Sequence, residues 1–152
     1  MRFDIIADTH GYLAPELLEA LKGADYIVHA GDMCSESDLR RLDRIAPVQM
    51  CLGNNDWGHE YGGTVKRVTK FYSDGLRWQI CHYRERLDLE ICDIAICGHT
   101  HRPFVEFDQR TGTWIMNPGS PTFPRGGKGP TMGRIITYRG HVLSTEIIKL
   151  QR

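Results

Sequence analysis

Short apolar runs in this chain repeatedly end on side chains that bind metal ions. Phe3-Asp4-Ile5-Ile6-Ala7 leads into Asp8-Thr9-His10, and Tyr26-Ile27-Val28-His29-Ala30 leads into Gly31-Asp32. Val48-Gln49-Met50-Cys51-Leu52 leads into Gly53-Asn54, Gln79-Ile80-Cys81 into His82, and Asp93-Ile94-Ala95-Ile96-Cys97 into Gly98-His99-Thr100-His101. This pattern constrains the fold because ligands in open α/β sheets gather at the carboxyl ends of the strands. Asp8, His10, Asp32, Asn54, His82, His99 and His101 lie on five separate loops and are the candidate metal ligands. Together they can enclose two ions.

The intervening segments specify the scaffold. Pro15 to Lys22 predicts a helix that opens on proline and stops at Gly23. Ser37 is expected to cap a second helix through Ile45, which Pro47 closes. Strand, helix, strand, helix, strand implies a right-handed parallel unit. The second half changes character. Ser73-Asp74-Gly75, Gln109-Arg110-Thr111-Gly112 and Arg139-Gly140 each separate two strand-like runs and predict antiparallel hairpins. Pro118 to Pro130 is rich in glycine and proline and predicts a loop. The expected fold is α/β: a two-sheet β-sandwich with flanking helices, a parallel βαβ first half and antiparallel hairpins in the second half. All of residues 1–152 is expected to form one domain.

Composition narrows the function classes. The 19 basic and 19 acidic residues cancel, so nothing suggests electrostatic capture of nucleic acid or an anionic membrane. A phosphate-bearing substrate stays possible, since bound cations supply positive potential locally. No apolar stretch approaches a bilayer span. Met1-Arg2-Phe3-Asp4 enters a charged strand directly, which suggests no signal peptide and a cytoplasmic location. The five cysteines (Cys34, Cys51, Cys81, Cys92 and Cys97) are odd in number and lack Cys-x-x-Cys spacing, so reduced, mostly buried thiols are expected.

Each ligand candidate is weak alone. Asp8 and His10 are two apart in a loop, Asn54 reads equally as a turn asparagine, and His82 as a structural histidine. His99 and His101 are harder to explain by packing, because alternation along an extended segment would put both on one side. The joint occurrence decides. A set of oxygen and nitrogen ligands without thiolate suits Mn²⁺, Fe²⁺, Co²⁺, Ni²⁺ or Zn²⁺. His29, His59 and His141 lack such company and read as strand, loop and exposed strand residues.

The series D-x-H, GD, GN, H and GHTH resembles the calcineurin-like metallophosphoesterase superfamily. Asn117-Pro118-Gly119-Ser120 and Pro124-Arg125-Gly126-Gly127 are similar to the small YfcE-type phosphodiesterases. The similarity runs from about residue 2 to residue 148. It implies a first metal held by Asp8, His10 and His101, a second held by Asn54, His82 and His99, and Asp32 bridging. Two divalent cations are implied, with Mn²⁺ foremost. Asp32, Asn54 and His82 are the expected catalytic residues. The implied reaction is hydrolysis of a small phosphate ester, a diester foremost, by water made acidic between the two ions. Asn54 would donate a hydrogen bond to a developing equatorial oxygen.

Three positions depart from the family pattern. Asn55 stands where many relatives carry a histidine that helps the leaving group, which predicts a preference for good leaving groups. Tyr83 replaces the usual glycine after His82, and Arg84-Glu85-Arg86 follows as a solvated turn or a phosphate contact. Ala7 replaces a serine on the side away from the metals. Trp57, Tyr61 and Tyr83 are candidates for a nucleobase pocket, or for packing alone. Arg125 is a candidate phosphate contact. The alternatives are a phosphomonoesterase, a cyclic-nucleotide phosphodiesterase, or a protein-binding scaffold like the retromer subunit of this fold. A nuclease is disfavoured by the charge balance. The resemblance also implies a homodimer or homotetramer.

Overall fold

The structure is a computed structural model that describes residues 1–151, apart from the side chain of His59. Strands β1 (Arg2–Ile6), β2 (Tyr26–His29) and β3 (Val48–Met50) alternate with helices α1 (Pro15–Leu21) and α2 (Glu36–Asp43). The parallel register is Ile5 to Val28 and Val28 to Gln49. Then come β4 (Val68–Ser73), β5 (Leu76–Cys81), β6 (Ile94–Ile96), β7 (Phe104–Asp108), β8 (Thr113–Asn117), β9 (Thr131–Tyr138) and β10 (His141–Lys149). They build two five-stranded sheets, in the orders β10-β9-β1-β2-β3 and β4-β5-β6-β8-β7. The three hairpins appear where the turn residues put them: Asp74-Gly75 and Arg139-Gly140 each place two successive residues at positive φ. That is the backbone a two-residue hairpin turn needs.

One sequence expectation needs correction. The cap of α2 is Ser35, whose hydroxyl accepts from the Asp38 N–H, and the helix stops at Asp43. Ser37 lies inside the first turn and hydrogen-bonds Ser35 instead. The second sheet is mixed: β5, β6 and β8 run parallel, with the β4 and β7 edges antiparallel. The connection before β6 holds only two 3-10 turns, Arg84–Arg86 and Leu89–Ile91, because that stretch is too short for a helix.

Alternation decides what each face meets. Phe3 and Ile5 of β1 join Val28, Trp78, Ile80, Ile94, Ile96, Met116 and Ile135 in a core between the sheets. Ile6 and Ile27 face the helices and pack on Leu17, Leu21 and Leu42. Asp4 shares that outer face. It is fully buried and held by Arg2 and Arg134, each at 2.8 Å. A charge inside β1 is tolerated because both carboxylate oxygens are paired. The five cysteines are free, and all but Cys34 are buried. No helix among the described residues is long and apolar enough to cross a membrane.

Candidate metal centre

Strands β1, β2, β5 and β6 end within three residues of Asp8, Asp32, His82 and His99, so the sandwich delivers these side chains to one edge. Hydrogen bonds extend the β1–β2 pairing past the strands: Asp8 N to Gly31 O at 2.9 Å, His10 N to Asp32 O at 3.0 Å and Gly11 N to Met33 O at 2.8 Å. Along this extension Asp8, His10, Asp32 and Cys34 all adopt left-handed backbone, with φ between 51° and 61°. His99 and His101 do the same, at 72° and 60°. They therefore do not share a side by strand alternation, as the sequence suggested; a tight left-handed turn aims them. Strain of this kind, about 1–3 kcal/mol per residue, clusters at functional sites.

Two glycines make the convergence possible. A Cβ on Gly31 would lie 2.7 Å from His82 Nδ1, and one on Gly53 would fall on the Asp32 carboxylate. Any side chain at either position would displace a candidate ligand.

Two compact groups result: Asp8, His10 and His101, and Asp8, Asp32 and His82. His101 Nε2 lies 3.4 Å from Asp8 Oδ1, and His82 Nε2 lies 3.7 Å from the same oxygen. Asp32 Oδ2 lies 3.7 Å from His10 Nε2 and 3.5 Å from His82 Nε2, so it reaches both groups. These separations are too long for good hydrogen bonds and suit atoms that share a cation. Asp8 Oδ1 and His82 Nε2 are buried and have no hydrogen-bond partner. Unpaired buried polar atoms of this kind are costly. A divalent cation between them fits both.

The supporting contacts fix each ring. His82 Nδ1 donates to Ala30 O at 2.7 Å and His101 Nδ1 donates to Phe123 O at 2.7 Å, which turns each Nε2 inward. Metal-binding histidines commonly donate their other nitrogen to a carbonyl in this way. Asp8 Oδ2 accepts from the His99 backbone N–H at 2.9 Å. The His99 ring itself is exposed and lies edge-on to His82 and tilted against Tyr83, at 5.1 and 4.7 Å between centroids. Asn54 is exposed. It lines an open cleft of about 490 Å³ with His10, Asp32, His99 and His101. A groove of about 410 Å³ along β4 has lysines but no ligand cluster.

Burial pushes the Asp8 carboxyl up to about 7, with the His82 imidazole partly offsetting it. Burial also opposes ionisation of Asp32, but the His82 imidazole and the two Asn55 donors outweigh it and hold that carboxyl well below the usual range. For His82, burial disfavours the charge, yet Asp32, Asp8 and the Ala30 carbonyl raise its pKa overall. Burial lowers His101. Cys34 Sγ sits 3.9 Å from His10 Nδ1, and burial lifts its thiol to about 12.

Several residues contribute through contacts with partners distant in the chain. Asn55 grips Asp32 through its backbone N–H at 2.9 Å and its amide at 3.0 Å. Asp56 accepts from Asp32 N, Gly53 N, Cys34 N and Tyr61 Oη, tying two ligand loops together. His29, read as a plain strand residue, is fully buried beneath the site. Its Nδ1 accepts from Gly31 N, so Nε2–H donates to Thr9 Oγ1 at 2.8 Å. Ser120 Oγ donates to Asp8 O and accepts from the N–H groups of Thr122 and Phe123.

Other candidates fall away. Arg84 pairs with Glu106 at 2.5 Å, and Arg86 lies over the Tyr83 ring. Tyr61 is buried on Asp56, and Tyr83 packs on the histidines His82 and His99. Trp57 remains 65% exposed.

Comparison with known proteins places this arrangement. A probable metallophosphoesterase of Methanothermobacter thermautotrophicus is 31% identical over 98% of this chain and 92% of its own length. A second, from Methanocaldococcus jannaschii, is 29% identical over 82% of this chain and 70% of its own. Among solved structures, Escherichia coli YfcE, a phosphoesterase, matches 99% of this chain and 100% of its own, with TM-score 0.71 and 19% identity. Vps29 of Entamoeba histolytica complexed with Zn²⁺ matches 97% of both chains, with TM-score 0.76 and 17% identity. The model of the calcineurin-like phosphoesterase superfamily domain matches residues 1–139, and the chain belongs to that family.

Proposed function

We propose that this chain hydrolyses phosphodiesters at a centre holding two divalent cations, Mn²⁺ foremost. The observation that carries the reading is the pair of unpartnered buried atoms, Asp8 Oδ1 and His82 Nε2, set inside two overlapping ligand groups. Asp8, His10 and His101 would hold one ion, Asn54, His82 and His99 would hold the other, and Asp32 would be shared. Bound cations supply Lewis-acid charge for the phosphoryl oxygens and acidify water. The chain supplies orientation. Carbonyls fix the rings of His82 and His101, and Asn55 fixes Asp32. Asn54 lines the cleft, where its amide can donate to a phosphoryl oxygen. In the reaction, water oxygen bonds to phosphorus, the ester P–O bond breaks and the alcohol leaves. The position after Asn54 holds no proton donor for that alcohol, because Asn55 is committed to Asp32. Esters of acidic alcohols are therefore the favoured substrates.

The test is metal analysis of the purified protein together with hydrolysis of bis-p-nitrophenyl phosphate under Mn²⁺, Ni²⁺, Co²⁺, Mg²⁺ and Zn²⁺. Metal-dependent turnover, abolished by Asp32→Asn, is expected. Turnover that survives Asp32→Asn would sink the two-ion assignment. A second reading, a protein-binding scaffold, draws support from the Vps29 likeness. Bound metal with no hydrolysis of any diester or monoester would favour it.

A further inference from the structure

Beside the metal ligands stands a rim that the hydrolytic centre does not use. Phe123 is 56% exposed, yet its backbone is fixed: its carbonyl accepts from His101 Nδ1 and its N–H donates to Ser120 Oγ at 2.9 Å. Its ring lies 5.5 Å from the His10 ring, edge-on. Two residues on, Arg125 N donates to His101 O at 3.0 Å, which anchors that residue to the same histidine. Arg125 and Arg102 both line the cleft. Among the described residues neither guanidinium has an ion pair or side-chain hydrogen bond. Arg77, Arg84 and Arg134 each lie against a carboxylate.

The phenyl ring, on a pinned backbone, touches His10 only by its edge and stays mostly exposed. It offers a flat apolar face at the mouth of a phosphate site. Nucleobases stack on such faces at low ordering cost, and guanidinium groups take phosphate oxygens bidentately. The cleft already assigns one phosphate to the ligand cluster. Two further unpaired positive groups on its rim call for more negative charge than one diester phosphate carries.

We propose that Phe123, Arg125 and Arg102 form a substrate subsite that takes an aromatic base and a second phosphate. The substrate class is then a short nucleotide diester bearing a phosphate besides the scissile one. This rests on the hydrolytic reading above and adds the identity of what is hydrolysed. Zero net charge on the chain argues for a short ligand over a long polyanion.

The test is calorimetric titration of the Mn²⁺-loaded protein with adenosine 3′,5′-bisphosphate, adenosine 5′-monophosphate and inorganic phosphate. The bisphosphate is expected to bind about tenfold tighter than the monophosphate, and the monophosphate about tenfold tighter than phosphate. Phe123→Ala should close the gap between monophosphate and phosphate. Arg102→Gln combined with Arg125→Gln should close the gap between bisphosphate and monophosphate. All three positions are surface residues, so the variants should fold. Wild-type affinities within about twofold of each other, or gaps that survive the variants, would overturn the subsite. Wild-type hydrolysis of bis-p-nitrophenyl phosphate, measured in parallel, separates the two ideas. Turnover without the affinity gaps overturns the subsite alone, and gaps without turnover on any ester overturn hydrolysis while supporting the subsite.

Discussion

Asn55 stands where many relatives carry a histidine, and here it grips both oxygens of Asp32. Asn55→Ala keeps the backbone donor and removes the amide. The expected result is metal affinity weakened by about tenfold, the scale on which the partners of metal ligands act. Titration of the metal-free protein with Mn²⁺ reads this, and unchanged affinity would mean that Asp32 holds its place unaided. His29 gives a pH-dependent counterpart. Burial lowers its pKa to about 4, with Asp56 opposing. An unfolded histidine protonates near 6.5. Between those values the unfolded chain binds the extra proton, so the His29 contribution is whole above about pH 6.5 and is lost as pH falls toward 4. Urea unfolding at pH 7.5 and pH 5 should show a smaller loss for His29→Gln than for the wild type; equal losses would count against the assignment. Asp8 acts in the other direction. Its cost grows as pH rises from about 4 toward 7, because the folded chain holds the proton longer. A cation that occupies Asp8 expels that proton, so metal affinity should climb with pH up to about 7.

At the scale of elements, the loop from Pro118 to Pro130 works as a part of the centre despite its glycine and proline. Ser120 ties it to Asp8, and Thr122 Oγ1 donates to Thr9 O. Ser120→Ala removes the buried donor to Asp8 O and the acceptor of the Phe123 N–H. A loss of about 2–3 kcal/mol is expected, with kcat/KM for a diester falling alongside, because His101 leans on Phe123 in the same loop. Denaturant melts and steady-state kinetics on one preparation check both. A stability loss with kinetics intact would show that the loop only packs. Helix α2 carries a smaller debt to its cap. Ser35→Ala should lower stability by about 1 kcal/mol, whereas Ser37→Ala should cost less, since Ser37 caps nothing.

For the whole molecule, the two sheets share one core and meet at the ligand edge, so anything that binds that edge stabilises both. A cation that binds only the folded chain adds about 2.7 kcal/mol at a hundredfold excess over its Kd. For a chain of this length that raises Tm by about 5–10 °C. Chelation should reverse the shift, and Asp32→Asn should shrink it. A thermal scan that ignores added metal would remove the ion from the fold's stability and weaken the two-group reading.

The sequence by itself determined the strands, the hairpin turns and the candidate ligands, because periodicity, turn chemistry and residue type are local properties. Gly53-Asn54 and Gly98-His99 could be picked out as candidate ligand loops because each follows a short apolar run. The cap of α2 was misplaced by two residues because Ser35 and Ser37 both suit a helix start, and only the hydrogen bond to Asp38 separates them. The work of His29 and Asn55 was hidden for a deeper reason. Each acts on residues far away in the chain, and such pairings exist only once the sheets have closed. The same holds for the left-handed turns that aim His99 and His101, which the pairing of neighbouring loops imposes against local preference. Residue type named the candidate ligands; the closed sandwich gave them their directions.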